Sequence, residues 1–382
     1  MKNNLTPILS VILAMIFVFS LAACGNSDVS SGDENAAAEL ATINAELQSD
    51  LESQMADRNF SGVVRVSKDG VVLCEAASGK MGPDSDEDIT LDTRFPVGSV
   101  SKQFCAAAIM LLKEDGKLST TDTLDKYFPD YSHGKDLTLK DLLTMQSGIP
   151  EMLGSHLRLS SSNDDQKEGS DVCIVSATAN EADNRKAIKD WIFRQELDFE
   201  PDSDCLYSNS NYFLLADIVE QVSGQKYGDY LKEHIFSPLG MNATGLITEL
   251  KNADDLAQPM FTTPEMPFGI NIDGTTFGAG DIVTTAADMD KWLTSLRENA
   301  ILSEESIKEM TTNYSPDATL HYCYGLISDT DGVWYHDGRV DSYTSYAYTV
   351  PEEGFNYFAV SNTASGTEYL IDLFSDYIDV TE

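Results

Sequence analysis

Positive charge is what this chain has least of. Across 382 residues, 25 Lys and Arg face 63 Asp and Glu, a formal net charge of −38. Such a surface repels polyanions and no basic cluster offsets it, which excludes nucleic acid and anionic lipid headgroups as partners. Histidine is also scarce. The five residues His133, His156, His234, His321 and His336 are dispersed. With no His-Glu-x-x-His helix and no zinc spacing among the cysteines, no metal or other cofactor is expected. Six cysteines at irregular intervals make no disulfide framework. Five remain once Cys24 is set apart, and Cys74 and Cys105 fall in apolar runs as small core residues. No internal repeat is present.

One long apolar run exists, from Pro7 to Ala23, broken only by Ser10 and Ser20 and preceded by Lys2. It reads as an export signal rather than as part of the fold. Its end, Leu21-Ala22-Ala23-Cys24-Gly25, is similar to a bacterial lipobox, which implies diacylation of Cys24 and residence on the extracytoplasmic face of the bacterial cell membrane. A cleaved secretory signal and a spanning anchor are the alternatives. Residues 1–24 are thus read as signal. Residues 25–38, rich in Ser, Asp, Glu, Gly and Ala, are read as a flexible tether, and 39–382 as one two-lobed body. At 42% hydrophobic and 9% aromatic the chain is globular.

Within the body, Leu40, Ile43, Leu47, Leu51 and Met55 repeat at helical spacing. Two β-rich runs follow, Ser61 to Val66 and Val71 to Ala76, around the hairpin signal Lys68-Asp69-Gly70. Leu137 to Gly148, Ala187 to Phe193 and Asn211 to Val222 read as helices, and Ser160 to Ser170 as a polar, flexible insertion. Strands return at Tyr322 to Ser328, Val333 to His336, Ser345 to Val350 and Phe355 to Ser361, before a final helix from Glu368 to Tyr377. Strands at both ends with helices between imply an α/β (α+β) sandwich: a mainly antiparallel sheet built from both termini, flanked by helices, with an inserted helical lobe.

Ser99-Val100-Ser101-Lys102 carries the chemistry. Residues three apart share a helix face, so the Lys102 amine can lie beside the Ser99 hydroxyl as its base. Ser132…Lys135 and Ser223…Lys226 match the same spacing. Only Ser99 precedes an apolar run, Phe104 to Leu112, whose all-round hydrophobicity demands burial and which Asp115-Gly116 ends. Two further motifs follow. In Tyr207-Ser208-Asn209 a phenol and an amide two residues apart can share one face of a loop, although Tyr packing and Asn capping would also suit it. His336-Asp337-Gly338 follows a strand, where Asp-Gly also suits a turn.

The ordered triplet Ser-x-x-Lys, Tyr-x-Asn and His-x-Gly resembles that of the serine β-lactamase and penicillin-binding protein superfamily, in its class C-like branch. Leu137 to Leu143 with Ser147-Gly148-Ile149, Pro238-Leu239-Gly240-Met241 and Phe277-Gly278-Ala279-Gly280 extend the resemblance from about Asn59 to Ser361. It implies that Ser99 is acylated while Lys102 and Tyr207 share its proton, and that Asn209 binds the substrate amide. His336, Gly338 and Arg339 would line the substrate, with the backbone N–H groups of Ser99 and Arg339 as an oxyanion hole. The implied substrate is a small molecule or peptide, such as a peptidoglycan-type peptide, a β-lactam or an ester. A D-alanyl-D-alanine-type carboxypeptidase or related D-amino-acid peptide hydrolase is the leading expectation, ahead of a β-lactamase or esterase. A low-turnover penicillin-binding receptor or structural lipoprotein is the alternative of another class.

Three departures from the family pattern bear on this reading. His336-Asp337 stands where Lys-Thr is usual, Met145-Gln146 where His-Thr is usual, and Asp341-Ser342 where Pro-Gly is usual. An ordinary histidine titrates near ~6.5. Protonated His336 is therefore expected to supply the positive field of the missing lysine and to lose it around neutrality.

Overall fold

The computed structural model describes residues 31–382 except 154–155, 161–171, 177, 262–272, 315–320, 329–331, 365, 369–370 and 373–382. It opens with α1 (Ser31–Asp57), β1 (Gly62–Lys68) and β2 (Val71–Ser78). The short β3 (Phe95–Pro96) leads into the long helix α2 (Ser101–Glu114). Then come α3 (Leu139–Leu143), the parallel pair β4 (Leu157–Ser160) and β5 (Cys173–Ser176), α4 (Glu181–Ile192), α5 (Asn209–Ser223) and α6 (Tyr227–Leu231). After β6 (Gly245–Leu246), α7 (Ile247–Leu250), β7 (Ile282–Thr284), α8 (Ala286–Glu298) and α9 (Glu304–Thr311), the chain returns to strands. These are β8 (Ile327–Ser328), β9 (Trp334–Val340), β10 (Tyr343–Val350) and β11 (Phe355–Ser361).

Both ends of the chain build one antiparallel sheet in the order β2-β1-β11-β10-β9-β8, with the helical lobe between them in sequence. This is the sandwich the sequence implies. Asp69 and Gly70 take φ of 51° and 77° at the β1–β2 turn, the left-handed pair that a two-residue hairpin needs. On one sheet face, Leu47, Leu51 and Met55 of α1 pack on Val64, Val66, Leu73, Phe355 and Tyr357. Each such side chain contributes roughly 1.5–3 kcal/mol by leaving water. Gln48 also clasps the edge strand, donating to the Glu75 carbonyl and accepting from its N–H. On the other face α8 places Asp290 where Arg65, Ser67 and Asn356 all donate to it.

Helix α2 runs through the centre, buried from Ser101 to Met110 and again at Leu112. The chain leaves it at Gly116, whose φ is 67°.

The boundaries differ from expectation in several places, and helix α4 starts at Glu181, well ahead of the expected Ala187. Helix α1 begins at Ser31, so residues 31–38 of the expected tether are helical; Ala36, Ala37 and Ala38 are the strongest helix formers, and Asp33 and Glu34 suit a helix start. Helix α3 stops at Leu143, because Met145 turns left-handed at φ 61°. Strand β8 shrinks to two residues, with Tyr322 joined to Ile327 by a lone bridge. Strand β9 runs through His336-Asp337-Gly338 to Val340, so these three residues are not a turn. The insertion expected over Ser160 to Ser170 and most of the expected final helix fall outside the described residues, as do Cys24 and the signal. Among the described residues no helix is long and apolar enough to cross a membrane.

Candidate functional site

Ser99 sits in a tight turn, Gly98–Val100, at the head of α2. Strand β8 pairs only with Trp334 and Tyr335, so the rest of that edge of β9 has no strand beside it among the described residues. The turn fills the gap. Contact of backbone with backbone makes this possible, and two glycines permit it. A Cβ on Gly98 would stand 2.6 Å from Arg339 N, and one on Gly338 would stand 1.9 Å from the Val97 carbonyl oxygen. Ser345 Oγ donates to that same Val97 carbonyl at 2.7 Å, fastening the turn to β10. Ser99 and the Arg339 backbone are thereby brought side by side.

One helical turn on, Lys102 is 0% exposed. Its Nζ donates to Ser99 Oγ at 3.1 Å, to Asn209 Oδ1 at 2.7 Å and to the Ala279 carbonyl at 2.7 Å. Three acceptors match the three protons of an ammonium. Burial nevertheless pulls its pKa from 10.5 down to about 7, opposed chiefly by the negative charge of Glu151. The Ala279 carbonyl is aimed by the loop ahead of β7. There Gly278, at φ 68°, lies so close to α5 that a Cβ would meet Ala216 Cβ at 2.3 Å.

Tyr207 and Asn209 are set by a zipper of bonds between residues 145–151 and the segment leading into α5. The N–H of Leu206 donates to the Met145 carbonyl, Ser147 Oγ to Asn211 Oδ1 at 2.6 Å, and Ser210 Oγ to the Pro150 carbonyl at 2.6 Å. Met145, one of the departures from the family pattern, takes part twice more, since its sulfur accepts from Ser208 N and Asn211 Nδ2. The Tyr207 ring lies 4.8 Å from Lys102 Nζ. Its hydroxyl is buried without a hydrogen bond of full geometry. Burial pushes this phenol well above its ordinary range, and the nearby Ser99 hydroxyl opposes that only in part. Asn209 accepts from Lys102 through Oδ1, while its backbone N–H and its Nδ2 both donate to Glu151 Oε2, at 2.6 and 3.0 Å.

His336 corrects the expectation of a cation. It is 2% exposed, and its Nδ1 meets two acceptors of Asp337, the backbone carbonyl and, at 4.0 Å, the side-chain carboxylate, so this nitrogen carries the proton. Nε2 then accepts from the Tyr322 hydroxyl at 3.0 Å. Burial, with Lys102 adding repulsion, draws its pKa from 6.5 down to about 4. A neutral ring is the result at neutral pH, and His336 does not line the cavity. Arg339 does: it lines the cavity beside Ser99, and the residue is exposed. Asp337 is 73% exposed and stays off the cavity wall.

The cavity measures about 340 Å³ and is lined by Ser99, Tyr207, Asn209, Glu151, Gly280 and Arg339, among others. The site therefore joins Ser99, Lys102, Tyr207, Asn209 and Arg339, with Gly338 as spacer, and leaves His336 behind its wall. Sequence reading missed Glu151, although it directly follows Ser147-Gly148-Ile149-Pro150. It also missed Tyr322 and Asp281. Asp281 is buried behind Lys102, accepts from Gly278 N at 2.9 Å, and is raised by burial from 3.8 to about 7. Among the described residues no cluster of three or more His, Cys, Asp or Glu is placed to hold a metal ion.

Three comparisons with known proteins bear on the site. The family profile described as Beta-lactamase matches residues 47–377. PbpX of Bacillus subtilis (strain 168), named as a penicillin-binding protein, is 30% identical over 282 residues, covering 72% of this chain and 64% of PbpX. The chain thus spans less than two thirds of that relative. Among solved structures, it is similar to the octameric penicillin-binding protein homologue from Pyrococcus abyssi, with TM-score 0.69 and 27% identity over 87% of this chain and 76% of that one. It is also similar to the D-amino acid amidase from Ochrobactrum anthropi SV3, with TM-score 0.66 and 25% identity over 86% and 97% of the two chains.

Proposed function

The chain belongs to the Beta-lactamase family of serine hydrolases, and from that premise we propose that it opens an amide through an acyl-Ser99 intermediate, as a D-alanyl-D-alanine-type carboxypeptidase or related D-amino-acid peptide hydrolase. The buried Lys102 amine 3.1 Å from Ser99 Oγ, with its pKa drawn to about 7, carries this reading. A base works best when its pKa lies near the working pH. Neutral Lys102 takes the Ser99 proton as Oγ bonds to the substrate carbonyl carbon, and the carbonyl π electrons move to oxygen. The N–H groups of Ser99 and Arg339 hold that oxyanion, an interaction that contributes about 3 kcal/mol in comparable sites. Collapse restores the carbonyl and expels the amine, which takes a proton from the Lys102 ammonium through the Tyr207 hydroxyl. Tyr207, its phenol held protonated by burial, acts as relay rather than base. Water then releases the acid and frees Ser99.

Arg339 favours a peptidase within this class. Arg339 is among the residues lining the cavity, and a guanidinium on this residue suits the free carboxylate of a C-terminal D-amino acid. The amidase likeness supports D-configured substrates. The leader supports work outside the cytoplasmic membrane, held by lipid on Cys24, and incorporation of labelled palmitate that Cys24→Ala abolishes would test that placement.

Labelling with a fluorescent penicillin and a fluorophosphonate tests the chemistry. The intact chain should label with both and Ser99→Ala with neither; no labelling of the intact chain overturns the acyl-enzyme. Durable penicillin label with turnover of D-alanyl-D-alanine peptides supports the peptidase. Rapid loss of label marks a β-lactamase, and durable label without turnover of any peptide or ester marks a receptor. Arg339→Gln should raise KM at least ~10-fold for a peptide with a free carboxylate and leave its C-terminal amide unaffected.

A further inference from the structure

Glu151 stands in the pocket wall with its hydrogen bonds turned toward the catalytic loop. A single oxygen, Oε2, accepts from the backbone N–H and from Nδ2 of Asn209, while Oε1 accepts from Leu153 N at 2.6 Å. We propose that Glu151 is the positioning residue of the acylation site: its carboxylate fixes which end of the Asn209 amide meets Lys102 and, by direct attraction, governs when Lys102 becomes neutral. The inference rests on reading Ser99 as nucleophile and Lys102 as its base.

The orientation follows from donor and acceptor types. An asparagine amide is nearly symmetric in shape, so only its partners choose which end faces which way. A carboxylate can only accept, and it takes the NH2 end. The oxygen is left for Lys102, 2.7 Å away. Remove the carboxylate and the NH2 end can swing to Lys102, setting donor against donor and withdrawing one of the amine's three acceptors.

The charge argument is separate. Lys102 is faced by Tyr207 and Tyr212 from α5 and the loop before it, by Cys105 on its own helix, by Asp281 ahead of β7, and by His336 and Asp337 on β9. Of the groups that favour its cation, Glu151 acts most strongly. Burial alone would draw the amine's pKa lower still, because each of the nearby negative charges opposes it. The amine would then take the Ser99 proton poorly and return it too readily. Glu151 holds Lys102 near the point where both transfers are possible.

The test is the rate of fluorophosphonate labelling across pH 5–9 for the intact chain, Glu151→Gln and Glu151→Asp. Glutamine keeps the size and removes the charge. Its acid limb should move to lower pH by about one unit, and its plateau should fall at least ~10-fold as the amide loses its anchor. Aspartate keeps the charge but falls one methylene short, so its limb should stay with that of the intact chain while its plateau drops. A Glu151→Gln profile that superimposes on the intact chain's overturns the proposal. Should that variant fail to fold by circular dichroism, Glu151→Asp decides, because an undiminished plateau overturns the clamp. An intact chain that does not label at Ser99 ends the acylation reading itself. One that labels while Glu151→Gln leaves the limb unmoved ends only the role of Glu151.

Discussion

Lys102 is held in a state that its surroundings oppose. The depression from 10.5 to about 7 corresponds to ~5 kcal/mol of bias against the cation. Because the folded-state value lies below the unfolded one, the unfolded chain binds the extra proton between about pH 7 and pH 10.5, and stability rises with pH across that window. Lys102→Met should therefore abolish labelling of Ser99 and stabilise the fold at pH 6 by about 1–4 kcal/mol, the amount typical when a buried charge gives way to an apolar side chain. The gain should shrink toward pH 10. Thermal unfolding of both proteins at several pH values checks this, and a variant less stable than the parent at pH 6 refutes it. Charge states of this kind are not legible in sequence. Ser99 and Lys102 were, because three residues on a helix fix their separation whatever the rest of the fold does. His336 was misread for the opposite reason: its neutrality comes from burial and from the nearby Lys102, and neither leaves a local pattern.

Among the elements, the junction of the Gly98–Val100 turn with β9 decides whether there is a site at all. The turn touches a strand edge from the far end of the chain, and Gly338 leaves no room for a side chain between them. Gly338→Ala places a methyl 1.9 Å from the Val97 carbonyl oxygen and 2.4 Å from Ser345 Oγ. Overpacking of this kind costs about 1–3 kcal/mol. The turn must retreat from Arg339, and a displacement of ~1 Å at the reacting atoms can cost about 100-fold. Labelling of Gly338→Ala should thus fall far more than its unfolding midpoint does, and an unchanged labelling rate would contradict the docking. Sequence placed the sheet strands, the central helix and the hairpin well, since period-2 and all-round apolar patterns are local signals. It overextended α3 because bonds from Leu206, Ser208 and Asn211 hold Met145 out of the helix. Helix α1 began earlier than expected because the Ala-rich tether carries helix propensity without large apolar residues.

For the whole molecule, a net charge of −38 on a body closed by strands from both ends means that the compact state works against its own repulsion. Local ion-pair groups such as Arg185 with Glu181, Asp217 and Glu220 offset only part of it. Added salt screens the long-range repulsion more than these close pairs. Raising sodium chloride from about 20 to about 500 mM should lift the unfolding midpoint by ~2 °C or more, and a midpoint that falls would mean that the pairs dominate. Composition, spacing and periodicity by themselves determined the acidic surface, the shared sheet, the buried helix, and Ser99 with its lysine, because each is set by residues near one another in the chain. Tertiary structure alone decided the neutral His336, the place of Arg339 on the cavity wall, the lowered Lys102 and the clamp of Glu151 on Asn209. Those depend on burial and on partners as distant as Lys102 and Asn209, 107 residues apart, which only folding brings within hydrogen-bond reach.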